Sequence, residues 1–408
     1  MTWLVVILGL SLLVFLHELG HFTAARLVGM TPRALYLGFP PALVKVRRKG
    51  IEYGIGAIPL GGYVRIPGMQ RPASSDFQAL MSSALREDPA LVPAAQAVSG
   101  GLDHEDFGAA RAALPALRTA LDQAHVSPSA LRSAQQAARD VDEGTGADAY
   151  WRQSTWKQVA AIAAGPGMNI LVAFLIFFAV YATGAPSQSP STEVAQVEAN
   201  SPAAAAGLRT GDRIVAVNGR RTVAFTQVSK AISGSGGRPI TVTVDRGGRT
   251  VELGPRRTVE EQGRWVWGFV PASQLVSHPL GASARLAIGD CWRVVTGTVA
   301  SIGGLFHARG RAEVSGPVGI VRTSQQFLRV GLQWYLMLLG LISMSLALFN
   351  LLPLLPLDGG NIVFSVIEGV RGRPVPRKVY QRVSGLGMAL ILVITIIAFS
   401  NDIGARPR

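Results

Sequence analysis

The first apolar stretch of the chain carries three ionisable side chains at a place where a membrane helix normally carries none. Between residues 3 and 25 they are His17, Glu18 and His21. The stretch is long enough to cross a bilayer, where ionisable groups are costly and mark functional sites. Residues four positions apart lie about 40° apart around a helix, so both imidazoles can bind one ion with Glu18 nearby. The pattern predicts an intramembrane zinc site, and a chance histidine pair is the weaker alternative.

Four apolar runs are long enough to span a membrane, at residues 3–25, 159–183, 334–357 and 383–399. We therefore expect a polytopic α-helical membrane protein with four transmembrane helices and both termini on one side. The first run lacks a small-residue cleavage site, so we expect it to be retained. The predicted segments are spans within 1–28, 156–185, 334–361 and 383–400, intervening segments at 31–69, 70–150, 188–256 and 257–333, a basic cytoplasmic loop at 362–382 and a tail at 401–408.

The basic residues of the chain flank the predicted spans. The net charge is +14, and two clusters follow the first and third spans: Arg47, Arg48 and Lys49, then Arg371, Arg373, Arg377 and Lys378. Such clusters mark cytoplasmic loops, so the charge indicates membrane topology and not nucleic-acid binding. Both termini and the segment between spans two and three are then extracytoplasmic. The single cysteine, Cys291, excludes an internal disulfide and a thiolate zinc site.

The segment 31–69 predicts a membrane-associated β element. It alternates apolar and polar residues around the basic turn, and glycines interrupt its second half. This pattern is typical of a β-hairpin followed by a Gly-rich strand or loop. The segment is too apolar for a solvated loop, and irregular backbone at membrane depth is tolerated only where it lines a cavity. We expect it to lie close to the zinc site.

The segment 70–150 predicts a separate soluble insertion on the cytoplasmic side. Eleven acidic residues face six arginines over residues 70–149, and apolar residues recur at helical spacing. Ser127 followed by Pro128 is typical of the start of a helix. We expect short amphipathic helices, and the sequence does not indicate their role. His104 and His125 have no ligand-like neighbours at helical spacing, so we assign them no metal-binding or catalytic role.

The segment 188–256 is rich in short β-type runs. Residues 211–219 (Gly-Asp-Arg-Ile-Val-Ala-Val-Asn-Gly) join a turn, a strand and an Asn-Gly hairpin signal. With residues 201–208 before it, this block resembles a PDZ domain, a module that binds extended peptides along a sheet edge. An unrelated small β-domain is the alternative. Residues 257–333 predict a linker and amphipathic helices at the outer membrane surface, where Cys291 is a packed thiol.

The third zinc ligand should be another intramembrane residue at the same depth, because a catalytic zinc has three protein ligands and one position for water. Asp358 is the best candidate. It ends the third span, which begins in the same direction as the first, within the sequence Asn350-Leu-Leu-Pro-Leu-Leu-Pro-Leu-Asp-Gly-Gly. Pro353 and Pro356 should break the helix there and leave carbonyls to line a cavity. An ordinary loop aspartate just past a span is the alternative.

Residues 165–169 (Gly-Pro-Gly-Met-Asn) open the second span toward the same side of the membrane. Small residues let helices approach closely. Asn169 offers its amide to the cavity or forms a hydrogen bond with a neighbouring helix. The sequence supports these two alternatives about equally.

Together these motifs resemble the site-2 protease family of intramembrane zinc metalloproteases, of the bacterial RseP type that carries a PDZ domain. The likeness covers nearly the whole chain, from His-Glu-x-x-His in span one to the Phe-Ser-Asn-Asp that ends at Asp402. It implies that His17, His21 and Asp358 bind one Zn²⁺ and that Glu18 is the general acid/base. Many relatives have histidine where this chain has Asn361, a position that we do not count as a ligand.

The resemblance also implies a kind of substrate: single-span membrane proteins, such as anti-sigma factors or remnant signal peptides, already shortened by an upstream site-1 protease. The loop 51–66 would be a membrane-reentrant element that guides an unwound substrate strand, and the PDZ domain would exclude intact ectodomains. The residues implied to contact the substrate are Asn169, Asn350, Ile58, Gly61, Gly62 and Tyr63.

Two other functions use some of the same features. A metal transporter needs ligands along a continuous path, whereas His278 and His307 fall in predicted extracytoplasmic segments. A catalytically idle PDZ scaffold or chaperone would not need Glu18. The sequence therefore favours the intramembrane protease, with its zinc toward the cytoplasm and its PDZ domain outside.

Overall fold

The computed structural model describes residues 2–186, 191–261, 263–272, 275–304 and 316–404. The start of the segment 188–256, part of 257–333 with His307, and the end of the tail 401–408 lie outside these residues. The chain divides into two units. The first comprises Met1–Ile176, Gly289–Val330 and Leu338–Arg408, and the second comprises Phe177–Ile288 and Gly331–Met337.

The helices dominate the described residues. They are α1 (Thr2–Leu27), α2 (Ser74–Glu87), α3 (Val92–Asp103), α4 (Phe107–Gln123), α5 (Pro128–Gly144), α6 (Thr155–Thr183), α7 (Pro202–Ala206), α8 (Phe225–Ser233), α9 (Leu280–Gly304), α10 (Pro317–Val330), α11 (Leu332–Asn350), α12 (Asp358–Arg371) and α13 (Arg377–Gly404). The strands are β1 (Ala34–Arg48), β2 (Ile51–Arg65), β3 (Ala185–Pro186), β4 (Val194–Val197), β5 (Arg213–Val217), β6 (Arg220–Arg221), β7 (Pro239–Arg246), β8 (Arg249–Arg257), β9 (Val259–Glu261), β10 (Arg264–Val266), β11 (Phe269–Pro271) and β12 (Leu275–Val276).

Four of the described helices, α1, α6, α11 and α13, are long and apolar enough to cross a membrane, which confirms the four predicted spans. The third ends at Asn350 and not at residue 357 as predicted. Pro353 and Pro356 cannot donate backbone hydrogen bonds, so the chain turns between α11 and α12. This break brings Asp358 to the first position of a new helix.

The predicted basic loop at 362–382 is wrong over most of its length, because α12 extends to Arg371 and α13 already begins at Arg377. The apolar residues at 363, 366, 367 and 370 recur at helical spacing, and the basic cluster begins only in the last turn. The helix ends at Gly372, whose φ of 65° lies in the left-handed region that favours glycine.

Strands β1 and β2 of the first unit pair around a two-residue turn at positions 49–50, both with positive φ. Such a turn matches the twist of a hairpin. The first part of β1 lies between the two halves of β2, because Tyr36 pairs with both Gly54 and Tyr63. Glycine is needed at position 54, since a Cβ there would lie 2.2 Å from the Tyr36 ring. Residues 62–65, which we call the edge strand, pair with β1 and with no other described strand.

Helices α2 to α5 form the acidic insertion and share a hydrophobic core. Helix α3 packs on α4, and α2 packs on α5. Ser127 accepts a hydrogen bond from the backbone of Ala130, and Pro128 is at the first turn of α5. The core includes Phe77, Met81, Leu91, Leu114, Leu117 and Val141.

The composition of the insertion indicated a separate domain. In the structure the insertion belongs to the same unit as the spans. Tyr150, just after α5, shares a 2.8 Å hydrogen bond with Ser365 of α12. Ion pairs also join the insertion to the rest of the unit: Arg33 with Asp148, Arg65 with Glu143, and Arg377 with Asp76. Composition could not predict this docking, because the partners lie far apart in the chain.

The second unit contains a β-domain, which we define as β4 to β11. Its main sheet has four strands in the order β6-β5-β7-β8, and β4 pairs with β11. Asn218 and Gly219 both have positive φ at the turn between β5 and β6. Trp267, 1% exposed, packs in the core of the domain with α8.

The last residue of the Phe-Ser-Asn-Asp motif has a structural contact in the first unit. The two carboxylate oxygens of Asp402 accept hydrogen bonds from the backbone N–H groups of Gly316, at 3.0 Å, and Gly319, at 2.9 Å. A helix start leaves such N–H groups unpaired and favours a negative charge. Asp402 therefore caps α10 from the end of α13.

Candidate metal centre

The three predicted zinc ligands lie together between α1 and the start of α12. The Nε2 atoms of His17 and His21 are 3.2 Å apart. Asp358 Oδ2 lies 3.2 Å from the first of these atoms and 3.3 Å from the second. Both imidazoles are buried. Among the described residues, this is the one group of at least three His, Cys, Asp or Glu side chains that converges closely enough to hold a metal ion.

The spacing of this group fits zinc. Ligand atoms about 2.0–2.1 Å from a tetrahedral zinc ion lie about 3.3 Å from one another. The three separations here are 3.2, 3.2 and 3.3 Å. Two imidazole nitrogens and one carboxylate oxygen also form a ligand set that leaves the fourth position for water, as catalytic zinc requires.

Hydrogen bonding supports the same conclusion. His21 Nδ1 lies 3.0 Å from the carbonyl oxygen of Ala161 in α6, so this nitrogen carries the proton and Nε2 presents a lone pair. Asp358 Oδ2 is buried and has no hydrogen-bond donor among the described residues. Lone pairs that face one another in a buried site are unfavourable without a positive charge between them, and a bound metal ion supplies that charge.

Two glycines allow the helices to approach closely enough to build this centre. A Cβ at Gly165 of α6 would lie 2.2 Å from His21 Nε2, and a Cβ at Gly20 of α1 would lie 2.3 Å from the carbonyl oxygen of Ala164. The Gly-Pro-Gly motif does not open the span, as the sequence had indicated, because α6 begins at Thr155 and Pro166 lies inside the helix. Within the motif, the missing side chain of Gly165 leaves room for the His21 imidazole. By contrast, Gly167 has no atom within 4 Å of its added Cβ.

A cavity of about 400 Å³ opens beside the three residues. Glu18 lines this cavity. A Cβ at Gly62 would lie 3.1 Å from Glu18 Cγ, so the edge strand runs directly past this side chain. The apolar part of the wall is formed by Val14, Phe39, Val64, Ile66, Met69, Ile162, Leu346, Pro356 and Leu357.

The structure separates the six residues predicted to contact substrate into two groups. Asn350, Gly61, Gly62 and Tyr63 line the cavity. Ile58 and Asn169 are absent from its wall. Ile58 pairs with Phe39 and is 45% exposed, whereas Asn169 is fully buried beside His17.

Sequence reasoning missed several neighbours of the site. Phe39 and Met69 contribute to the wall, and Ala161 orients His21 through its backbone. No local pattern marks these residues. Gly165 is different, because the Gly-Pro-Gly motif was a visible signal whose partner could not be read from the sequence.

These features define a class: a polytopic membrane protein with a two-histidine, one-aspartate metal centre and a neighbouring carboxylate. A sequence profile of peptidase family M50 matches residues 5–394. The chain therefore belongs to peptidase family M50, the site-2 protease family, and is a zinc metalloprotease. Membership implies membrane-protein substrates within a lipid bilayer.

Two relatives are similar along nearly their whole length. “Putative zinc metalloprotease Atu1380” of Agrobacterium fabrum is 31% identical over 418 residues, which cover 98% of this chain and 94% of the relative. “Zinc metalloprotease RasP” of Shouchella clausii is 28% identical over 423 residues, which cover 98% of each.

Proposed function

We propose that this protein cuts the transmembrane segments of single-span proteins that an upstream site-1 protease has already shortened, such as anti-sigma factors or remnant signal peptides. The zinc ligands are His17, His21 and Asp358, and Glu18 is the general acid/base. The observation that carries the proposal is the convergence of the three ligand atoms beside Glu18, in a cavity between helices of spanning length.

Zinc, when bound, supplies Lewis-acid chemistry that activates water and polarises the scissile carbonyl. Glu18 accepts the proton of the attacking water and later donates it to the leaving amine. Its position suits both steps, because its carboxylate lines the same cavity as the ligand atoms.

The edge strand is the proposed docking site for the substrate backbone. A helical substrate hides its carbonyls in hydrogen bonds, so the segment to be cut must first unwind. An extended segment can pair with an unpaired strand edge, and residues 62–65 pair with β1 on one side only among the described strands. Gly61, Gly62 and Tyr63 line the cavity, which supports a substrate path along this strand. The largely apolar wall suits membrane-segment side chains.

The β-domain is proposed to be a PDZ domain that acts as a size filter. Its four-stranded sheet, its Asn-Gly turn and the packing of α8 in its core support this assignment. The basic clusters that flank the spans support a location of this domain outside the cell, with the zinc toward the cytoplasm. A substrate with an intact ectodomain would then be excluded before its membrane segment reached the zinc.

The test is a Glu18→Gln variant assayed on a single-span substrate that lacks its ectodomain. We expect zinc content to be retained and cleavage to fall by about 10²–10⁴-fold, the usual contribution of a general base. Glu105→Gln is a matched control, because Glu105 is an exposed glutamate of the insertion. Cleavage by Glu18→Gln at the wild-type rate would disprove this role for Glu18.

Two measurements on the wild-type protein separate the rival functions. A metal transporter would move zinc across the membrane of proteoliposomes, and we expect no such transport. An idle scaffold would bind shortened substrates without ever cutting them. Neither rival has a specific observation in its favour: His278, for example, makes an edge contact with the ring of Tyr181 and joins no cluster of ligands among the described residues.

A further inference from the structure

Asn169 occupies a position that substrate binding does not explain. It is 0% exposed and is absent from the wall of the cavity. Its side-chain nitrogen lies 3.3 Å from His17 Nδ1. Its side-chain oxygen is buried and has no hydrogen-bond partner among the described residues. A buried amide whose oxygen is unpaired, next to a metal-facing imidazole, calls for a physical explanation.

The protonation of His17 supplies that explanation. When Nε2 of an imidazole binds a metal, Nδ1 carries the proton and must find an acceptor. The amide nitrogen of Asn169 is a donor, so the two groups as placed would face each other with two donors. The oxygen and nitrogen of an amide exchange places on a 180° rotation. The rotated amide offers Oδ1 to His17 Nδ1–H, so that the imidazole N–H and the amide oxygen become partners.

The second histidine has an equivalent partner on the same helix. His21 Nδ1 lies 3.0 Å from the carbonyl oxygen of Ala161 in α6. Helix α6 thus presents one acceptor to each imidazole: a backbone carbonyl to His21 and, after rotation, a side-chain carbonyl to His17. Outer partners of this kind hold the ring orientation and tautomer of a metal-binding histidine.

The backbone of Asn169 is itself held in place. Its carbonyl oxygen accepts a 2.9 Å hydrogen bond from the hydroxyl of Ser343 in α11, and Ser343 is also 0% exposed. The position of the amide is therefore fixed by a third helix. A buried residue with its backbone held in this way and its side chain absent from the cavity wall suits positioning of a ligand better than contact with a substrate.

We propose that Asn169 is a positioning residue that accepts a hydrogen bond from His17 Nδ1–H and thereby orients His17 for zinc. The inference rests on the proposed role of His17 as a ligand. It assigns the Asn of the Gly-Pro-Gly-Met-Asn motif to the metal and removes it from the set of substrate contacts.

The experiment compares the zinc affinity of purified full-length variants by competition with a chromogenic chelator. Asn169→Leu keeps the approximate size and removes the acceptor, and we expect zinc affinity to fall about 10–100-fold. Asn169→Asp keeps an acceptor, and we expect affinity at or above the wild-type value. Asn350→Leu is the matched control, because Asn350 lines the cavity, and we expect cleavage to fall with zinc affinity unchanged.

A cobalt-substituted sample gives a second measurement that does not depend on cleavage. The visible spectrum of bound Co²⁺ reports ligand geometry, and we expect it to change in Asn169→Leu and to return in Asn169→Asp. Wild-type zinc affinity in Asn169→Leu together with lost cleavage would overturn the proposal in favour of a substrate contact. Equal loss of zinc in both Asn169 variants would overturn the acceptor role.

The failure of the underlying ligand assignment gives a different pattern. His17→Ala should lose zinc more completely than Asn169→Leu. If His17→Ala binds zinc as the wild type does, His17 is not a ligand, and both the ligand assignment and the role of Asn169 are overturned.

Discussion

Asp358 in the first unit and Asp212 in the second both have buried carboxylate oxygens beside nitrogen atoms, but only Asp212 has hydrogen-bond donors among the described residues. Asp212 accepts hydrogen bonds from Arg246 Nε at 2.7 Å, from Arg246 Nη2 at 2.8 Å and from the backbone N–H of Arg209 at 2.8 Å. Asp358 Oδ2 faces two imidazole nitrogens and has no donor among the described residues.

The difference separates a structural carboxylate from a functional one. Asp212 is satisfied by the protein itself, since each oxygen has a charged or backbone donor. Asp358 Oδ2 lacks such a donor among the described residues, which is the arrangement expected of a metal ligand. Burial and a close nitrogen are therefore weak evidence for a metal site, and the missing donor distinguishes the two cases.

Among the substitutions that test this comparison, Asp358→Asn should have the largest effect on zinc binding and cleavage. An uncharged amide is a poor zinc ligand, so we expect cleavage of a shortened membrane substrate to fall to background and zinc to be lost on dialysis. The fold should survive, because Asp358 makes no donor-satisfied contact that the substitution would break. Measurements of zinc content and thermal unfolding, made on the same sample, check both statements. Unfolding of the variant before zinc removal would contradict this account.

Gly165→Ala should have the next largest effect. The added methyl would lie 2.2 Å from His21 Nε2, and that ring cannot withdraw without leaving Ala161 and the metal position. We expect zinc affinity to fall by about 10-fold or more. Gly167→Ala, in the same motif, has open space around its added methyl and should bind zinc like the wild type. Equal zinc affinities in the two variants would show that α6 does not shape the site.

Asp212→Asn should have the smallest effect of the three substitutions. It should lower the stability of the β-domain and leave zinc binding unchanged. Loss of the charge weakens its hydrogen bonds with Arg246, which we expect to destabilise the β-domain by about 2 kcal/mol. Hydrogen exchange of the β7 amides in the full-length protein measures this. Asp245→Asn is a control on the same strand, since Asp245 has no ion pair among the described residues. Equal hydrogen-exchange rates of the β7 amides in Asp212→Asn and Asp245→Asn would argue against a stabilising contact between Asp212 and Arg246.

The pH dependence of the β-domain follows from the same pair. Burial opposes ionisation of Asp212, but Arg246 and the backbone N–H of Arg209 outweigh it and hold the pKa of Asp212 below its usual value. A carboxylate with a lowered folded-state pKa stabilises the fold fully above its unfolded pKa of about 3.9. The stabilisation is lost as the pH falls through the lowered folded-state value. Asp212→Asn should remove this part of the acid sensitivity.

The sequence predicted features that depend on local chemistry. The four spans follow from apolar length, and the start of α5 follows from Ser127 and Pro128. Pro353 and Pro356 indicated a break in the third span, although the sequence did not place the end of α11 at Asn350. The two histidines lie together because of helical periodicity alone. Asp358 could be chosen because ionisable residues at membrane depth are rare.

The sequence could not predict contacts between distant residues. The fit of Gly165 against His21, the cap that Asp402 forms on α10 and the docking of the insertion through Glu143 each join segments separated by many residues. Asn169 illustrates the same limit. Its side chain could face the cavity or bond to a neighbouring helix, and only the folded chain decides which neighbour it meets.

The most direct test of the central claim is X-ray absorption at the zinc edge of the purified full-length protein. The account predicts one zinc per chain with two imidazole nitrogens and at least one oxygen at about 2.0–2.1 Å, and the loss of one imidazole contribution in His21→Ala. A protein that cleaves its substrate without zinc, or a zinc site that keeps both imidazoles in His21→Ala, would contradict it.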